Sequence, residues 1–237
     1  MELLTVRIAH AGYLTNKQAI KNIDFSISAG QLVGLIGPNG AGKSTTLKGI
    51  LGLLPEIKGQ VQFSGQRKSY AYIPEQPVFY DGLTLWEHLE FAAAAGQIPR
   101  QVFTSKAEEL LRKFRLVEVR HHFPATFSKG MQQKVMLILG FLLEPDVYIV
   151  DEPFIGLDPR ATKEFLALIY EARNQGAGVL MSTHVLDTAE KVCDSFVLMA
   201  DGTIVSKGNL AEIRNQCNLP DGSLFDCFDR LLEGFDD

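Results

Sequence analysis

The eight residues Gly37-Pro38-Asn39-Gly40-Ala41-Gly42-Lys43-Ser44 constrain this chain more than any other stretch. They spell G-x-x-x-x-G-K-[ST] between an apolar run, Leu32-Val33-Gly34-Leu35-Ile36, and a helix-like run, Thr45-Thr46-Leu47-Lys48-Gly49-Ile50-Leu51. That strand, loop and helix order is the setting in which the motif cradles phosphate. Glycines let backbone N–H groups turn inward around phosphate oxygens, and the partial positive charge of the helix N-terminus reinforces them. The pattern points to a nucleoside triphosphate, with Lys43 reaching the β- and γ-phosphates and Ser44 ligating Mg²⁺. Gly37 through Thr45 is therefore the first candidate binding segment.

A chain of 237 residues can bury a full core, as one large domain or as one domain with a subdomain. Its longest apolar run, Val135 to Leu143, falls far short of the roughly 20 residues a membrane span needs. The N-terminus Met1-Glu2-Leu3-Leu4-Thr5-Val6-Arg7 has neither the basic start nor the apolar block of an export signal. Cys193, Cys217 and Cys227 are too few and too scattered for a disulfide framework or a metal site, which fits a reducing cytosol.

The formal charge of −5 is concentrated at one end. Residues 221–237 hold Asp221, Asp226, Asp229, Glu233, Asp236 and Asp237 against Arg230 alone, and the rest of the chain balances. No basic face is signalled, which argues against nucleic acid as the main partner. Leu224, Phe225, Phe228, Leu231 and Leu232 recur at helical spacing, so this acidic tail reads as a short amphipathic helix capping the core.

Strand-like segments occur at Leu3 to Ala9, Ile23 to Ile27, Leu32 to Ile36, Val61 to Phe63 and Tyr70 to Ile73. From Thr84 the pattern turns helical. Thr84-Leu85-Trp86-Glu87 and Ser105-Lys106-Ala107-Glu108 both have the capping-box form, and Ala92 to Ala95 is a helix-favouring run closed by Gly96. After Glu144-Pro145, strands at Val147 to Val150, Val179 to Ser182 and Phe196 to Ala200 alternate with helices at Arg160 to Arg173 and Val185 to Val192. Such alternation implies a parallel α/β sheet. The expected organisation is a P-loop core with a parallel sheet over residues 1–220, an N-terminal antiparallel β subdomain, a helical insert at about 77–143, and the tail at 221–237.

Val147-Tyr148-Ile149-Val150 is a buried apolar strand that runs into Asp151 and Glu152. In an α/β sheet the carboxyl ends of strands are where ligands bind. Asp151 suits a Mg²⁺ site opposite Ser44, and Glu152 suits a general base polarising the attacking water. Taken alone, a strand-end acid is as readily a cap for the next segment; the phosphate loop upstream tips the balance.

Four further motifs stand in a telling order: Tyr72-Ile73-Pro74-Glu75-Gln76, Phe127-Ser128-Lys129-Gly130-Met131-Gln132-Gln133, Gly156-Leu157-Asp158 and Ser182-Thr183-His184. With the phosphate loop and the Asp151-Glu152 strand, they make the chain resemble the ATP-binding subunits of ABC transporters from about Leu3 to Gly208. The segments at Tyr72 to Leu89 and Phe123 to Gly130 look particularly like the Ecs-type exporter ATPases of Gram-positive bacteria.

The resemblance implies ATP and Mg²⁺ as ligands and a head-to-tail dimer of two copies with two ATPs between them. Ser128 and Gly130, at the start of a helix, would then receive the γ-phosphate of the other copy's ATP. Read alone, the same stretch is an ordinary capped helix. Phe127, Lys129 and Met131 depart from the family's commonest Leu-Ser-Gly-Gly-Gln, and Lys129 adds a charge beside the phosphate. His184 would hold the γ-phosphate and orient Glu152, Gln76 would contact Mg²⁺ or water, Tyr13 would stack on adenine, and Asp158 would bridge subunits. Phe79, Tyr80 and Trp86 are balanced between a partner-helix groove and the core of the helical insert. His10, His88, His121 and His122 read as surface or packing residues.

The function so implied is an ATPase that drives a separate integral membrane permease, as an exporter, from the cytoplasmic face of the cell membrane. Two rivals are a soluble ATPase of the same fold without a membrane partner and a regulatory nucleotide-binding module of low turnover. Glu152 and His184 speak against the second.

Overall fold

The computed structural model describes residues 1–233, so Asp236 and Asp237 of the acidic tail lie outside the described residues. Its centre is a six-stranded sheet in the order β5 (Tyr70–Ile73), β6 (Val147–Asp151), β7 (Gly178–Thr183), β3 (Leu32–Ile36), β8 (Ser195–Ala200) and β9 (Thr203–Gly208). All pairings are parallel except β8 with β9. Every residue of β3, β6 and β7 is buried, which explains their continuous Val, Leu and Ile runs: a parallel strand is covered on both faces. The fold is α/β with a mostly parallel P-loop sheet, as the alternation of elements predicts.

A second, antiparallel sheet packs on one face, with the order β2 (Asn16–Ser28), β1 (Glu2–Tyr13) and β4 (Glu56–Phe63). Helix α1 (Lys43–Ile50) lies in the same layer, and Leu47 and Ile50 join Val6, Ile8 and Ile20 in a core with Val33, Leu35, Ile149 and Leu180. Strands β1, β2 and β4 run well beyond the apolar alternation that marks them. Backbone pairing carries them on: Tyr13 pairs with Asn16 at the hairpin, where the side chains are polar or exposed.

The other face is covered in two parts. Helices α2 (Leu85–Ala95), α3 (Arg100–Phe114), α4 (Lys129–Leu142) and α5 (Pro159–Asn174) enclose a core over β5, β6 and β7 that includes Ile73, Phe141, Tyr148, Val150, Phe165 and Met181. Helices α6 (Leu186–Val192), α7 (Leu210–Gln216) and α8 (Leu224–Glu233) cover Ile36, Phe196 and Leu198. Phe79 and Trp86 pack against the first of these cores, whereas Tyr80 is exposed.

The Thr84 capping box forms: Thr84 Oγ1 accepts from Glu87 N and the Glu87 carboxylate accepts from Thr84 N. The one at Ser105 does not. Helix α3 begins five residues earlier, after Pro99, which places Ser105 inside a helix whose N–H partners are already supplied. In α8 the buried face is Leu224, Cys227 and Phe228, so Phe225 points to solvent and the small Cys227 takes the core position. His88 is a packing residue, buried between Tyr80 N, which donates to its Nε2 at 3.0 Å, and Thr84 O, 2.8 Å from its Nδ1.

Gly140 faces β5 from the middle of α4, and a Cβ there would lie 2.7 Å from both Cγ1 and Cδ1 of the fully buried Ile73. Glycine to alanine in a helix ordinarily stabilises by about 1 kcal/mol. Here Gly140→Ala is expected to destabilise by roughly 1–3 kcal/mol in urea unfolding, because overpacking exceeds the propensity gain. Adding Ile73→Val, which removes Cδ1, should recover part of that loss; a double variant no more stable than Gly140→Ala refutes the contact as the cause.

Candidate active site

The phosphate loop leaves the carboxyl end of the central strand β3 and enters α1 at Lys43. Gly42 sits at φ 99° as the N-cap, a left-handed conformation that disfavours side chains, and a Cβ there would also press on Ile20 Cγ2 at 3.0 Å. No side chain caps α1 and no acid stands in its first turn, so its first N–H groups stay open to an anion. The loop is braced from behind: Gly202 N donates to Ala41 O at 3.1 Å, and Lys21 N donates to Gly202 O at 2.8 Å. A turn between β8 and β9 thus ties the loop to β2.

Lys43 is buried at 6% exposure, and its Nζ donates to Gly37 O at 2.7 Å and Pro38 O at 3.2 Å. Its charge is met by Glu152 Oε1 at 3.7 Å, also on a buried side chain. A buried ammonium is tolerable only with such partners. The same Glu152 Oε1 lies 2.9 Å from His184 Nδ1, so the tautomer with a proton on Nδ1 donates to the carboxylate. His184 follows β7 and its side chain is 44% exposed, reaching outward from a buried anchor. Lys43, Glu152 and His184, from three different segments, therefore meet at one carboxylate.

These three share a cleft of about 240 Å³ with Pro38, Asn39, Gly40, Gly42, Ser44, Thr45, Glu75 and Ile155. Ser44 is exposed in the first turn of α1. Asp151 lies just behind the cleft, buried, where its carboxylate accepts a hydrogen bond from Ser182 Oγ. Tyr72 on β5 faces the same carboxylate, and burial first and the Asp151 charge second push its phenol far above the ordinary tyrosine value. Its hydroxyl remains a neutral donor.

The remaining predicted site residues lie outside this cleft. Gln76 is exposed, and its neighbour Glu75 is the residue that lines it. Tyr13 ends β1 at the surface, with Lys48 Nζ 5.7 Å from its ring centre. Ser128 is the N-cap of α4 and accepts from Met131 N at 3.4 Å. A Cβ on Gly130 would fall 2.6 Å from Gly156 O, so the start of α4 lies directly on the loop that follows Glu152. Asp158 fixes the far end of that loop. It caps α5 by accepting from Ala161 N at 2.8 Å and pairs with Lys134 Nζ on α4 at 2.6 Å. The Lys134 hydrogen bond, then that of Ala161, holds its carboxyl below the usual range.

Sequence reasoning passed over Glu75 and Ser182. Glu75 was legible as a carboxylate between Pro74 and Gln76 in a motif already singled out. Ser182 stood in the Ser182-Thr183-His184 motif, where only His184 was given a role.

Comparison with known proteins widens the view from this cleft to the whole chain. Residues 20–155 match the family described as ABC transporter. The uncharacterized ABC transporter ATP-binding protein YthP of Bacillus subtilis is 47% identical over 232 residues, covering 98% of both chains. The ABC-type transporter ATP-binding protein EcsA of the same organism is 45% identical over 242 residues, again with 98% of each covered. A solved structure described as the ATP binding subunit of an ABC transporter superposes with a TM-score of 0.92 at 44% identity, over 97% of this chain and 99% of that one. Cleft and likeness agree, and the chain belongs to the ABC transporter ATP-binding proteins: it binds ATP and is an ATPase.

Proposed function

We propose that this ATPase works as a head-to-tail homodimer on the cytoplasmic face of the membrane, where it drives a separate permease subunit as an exporter. The observation that carries the reading is the shared carboxylate: Glu152 Oε1 within 2.9 Å of His184 Nδ1 and 3.7 Å of Lys43 Nζ, beside the open N-terminus of α1. A base belongs within reach of both the phosphate loop and a group that can orient it.

In this reading the loop N–H groups and Lys43 bind the β- and γ-phosphates, and Glu152 accepts a proton from the attacking water while His184 holds its carboxylate in place. Ser44 and Asp151 would hold Mg²⁺, with Gln76 approaching from its exposed segment. Among the described residues no three His, Cys, Asp or Glu side chains gather as a self-sufficient metal site. One hydroxyl and one carboxylate fit an ion that keeps water and phosphate oxygens as its other ligands. When bound, Mg²⁺ neutralises charge on the phosphate oxygens.

Dimerisation is supported by where Ser128 and Gly130 lie. They head a 14-residue helix whose N-cap is exposed and which is outside the chain's own cleft, so a phosphate reaching them would belong to another copy. Asp158 sits beside them, and Tyr13 is open to stack on a base. No helix among the described residues is long and apolar enough to cross a membrane. The expected partition is an ATP-binding unit over 1–220, with the helical insert at about 77–143 facing the permease, and the tail at 221–237. The exporter assignment rests on the likeness to the Ecs-type ATPases, and the relative named EcsA is in keeping with that likeness.

Two substitutions test this. Glu152→Gln should lower steady-state hydrolysis at least about 100-fold, the scale of a lost general base. It should keep ATP affinity and shift the protein to a dimer in gel filtration with ATP. Wild-type turnover by that variant refutes the role of Glu152, and a monomer at saturating ATP refutes the dimer. Lys43→Ala should weaken equilibrium ATP binding roughly 10- to 100-fold, as expected for loss of a charged hydrogen-bond donor.

A further inference from the structure

Residue-by-residue register places a hydroxyl where both strand-end carboxylates depend on it. Strand β7 lies between β6 and β3, and Ser182 pairs with Asp151 on one side and Leu35 on the other. Period-two alternation puts Ser182 on the face shared by Leu180, Ile149 and Leu35, the face that carries the phosphate loop and α1. The side chain is completely buried. Its Oγ donates to Asp151 Oδ1 and accepts from Glu152 N at 3.1 Å, so one hydroxyl uses its proton on one carboxylate and its lone pair on the backbone of the other.

Glu152 has φ 47°, the left-handed region, uncommon for a residue with a side chain. That turn swings its carboxylate off the strand axis toward Lys43 and His184. Among the described residues, the bonds that hold its N–H in this turn are both to Ser182, one to Oγ and one to the carbonyl O at 3.2 Å. On the other side Tyr72 of β5 pairs with Ile149, two residues before Asp151 on the same face, and burial together with the Asp151 charge pushes its phenol up. A serine here is not demanded by packing: Leu180, two residues earlier on the same face, fills its place with hydrocarbon.

We propose that Ser182 is a positioning residue for ATP hydrolysis, aiming Asp151 toward the metal-bearing side of the cleft and fixing the backbone turn that presents Glu152 to the attacking water. The inference rests on the roles given to Asp151 and Glu152 above. It assigns to the hydroxyl no contact with nucleotide.

The test uses the full chain with Ser182→Ala and Ser182→Thr, the latter retaining the hydroxyl on a side chain suited to a strand. Ser182→Ala should lower kcat roughly 10- to 100-fold, the scale of a lost hydrogen bond to a charged group. Its ATP affinity in EDTA should stay within about twofold of the parent, since uniform binding is untouched. The tightening of ATP binding on adding Mg²⁺ should shrink, a readout independent of turnover. Ser182→Thr should recover most of the rate. Ser182→Cys, close in shape and a weaker donor, should fall between and takes over if the alanine variant does not bind ATP in EDTA. Undiminished kcat in the alanine or, in that event, cysteine variant overturns the proposal, as does a threonine variant that binds ATP yet is as slow as alanine. Absence of hydrolysis by the unmodified chain would instead overturn the catalytic reading on which it rests.

Discussion

The parallel register of β5, β6, β7 and β3 is the constraint from which the rest follows. Because the strands run the same way, their carboxyl ends form one edge, and Ile36, Asp151 and Thr183 all arrive there together. The segments that continue from that edge are the phosphate loop, Glu152 and His184. None needs a long excursion to meet the others. Burial on both faces makes the register costly to shift, since slippage by one residue would expose the opposite set of side chains to each core. Precision at the cleft is thus inherited from hydrocarbon packing some distance away.

Electrostatics at the cleft are arranged by the same geometry. Glu152 and Lys43 are both buried and mutually satisfied, with loop carbonyls taking the remaining lysine protons. Asp151 instead accepts from the neutral hydroxyl of Ser182. The two adjacent carboxylates thereby acquire different characters. One pairs with a cation and an imidazole, and the other is held by a neutral hydroxyl.

Much of this was legible before any coordinates. The buried strands announced themselves as apolar runs, and the phosphate loop and the Asp151-Glu152 pair stood where a strand ends. The alternation after Pro145 required a parallel sheet. What escaped was long-range or carried by backbone. The continuation of β1 to Tyr13 depends on hairpin pairing, not on apolar spacing. The start of α3 at Arg100 is set by Pro99, and Ser105 imitated a cap because the local pattern cannot tell a helix start from a helix interior. Ser182 stood in a motif, but its role was hidden because its two partners are some thirty positions away in the chain. Cys227 is buried and Phe225 exposed because the core-facing stripe of α8 runs through Leu224, Cys227, Phe228 and Leu231, at i, i+3, i+4 and i+7, which leaves Phe225 off it.

Between α4 and the loop after Glu152 there is no slack. Gly130 touches Gly156 so closely that even a methyl group would collide, and the Lys134–Asp158 pair clamps the same two segments a turn further on. A tilt of α4 would therefore have to carry the peptide that follows Glu152 along with it or part both contacts.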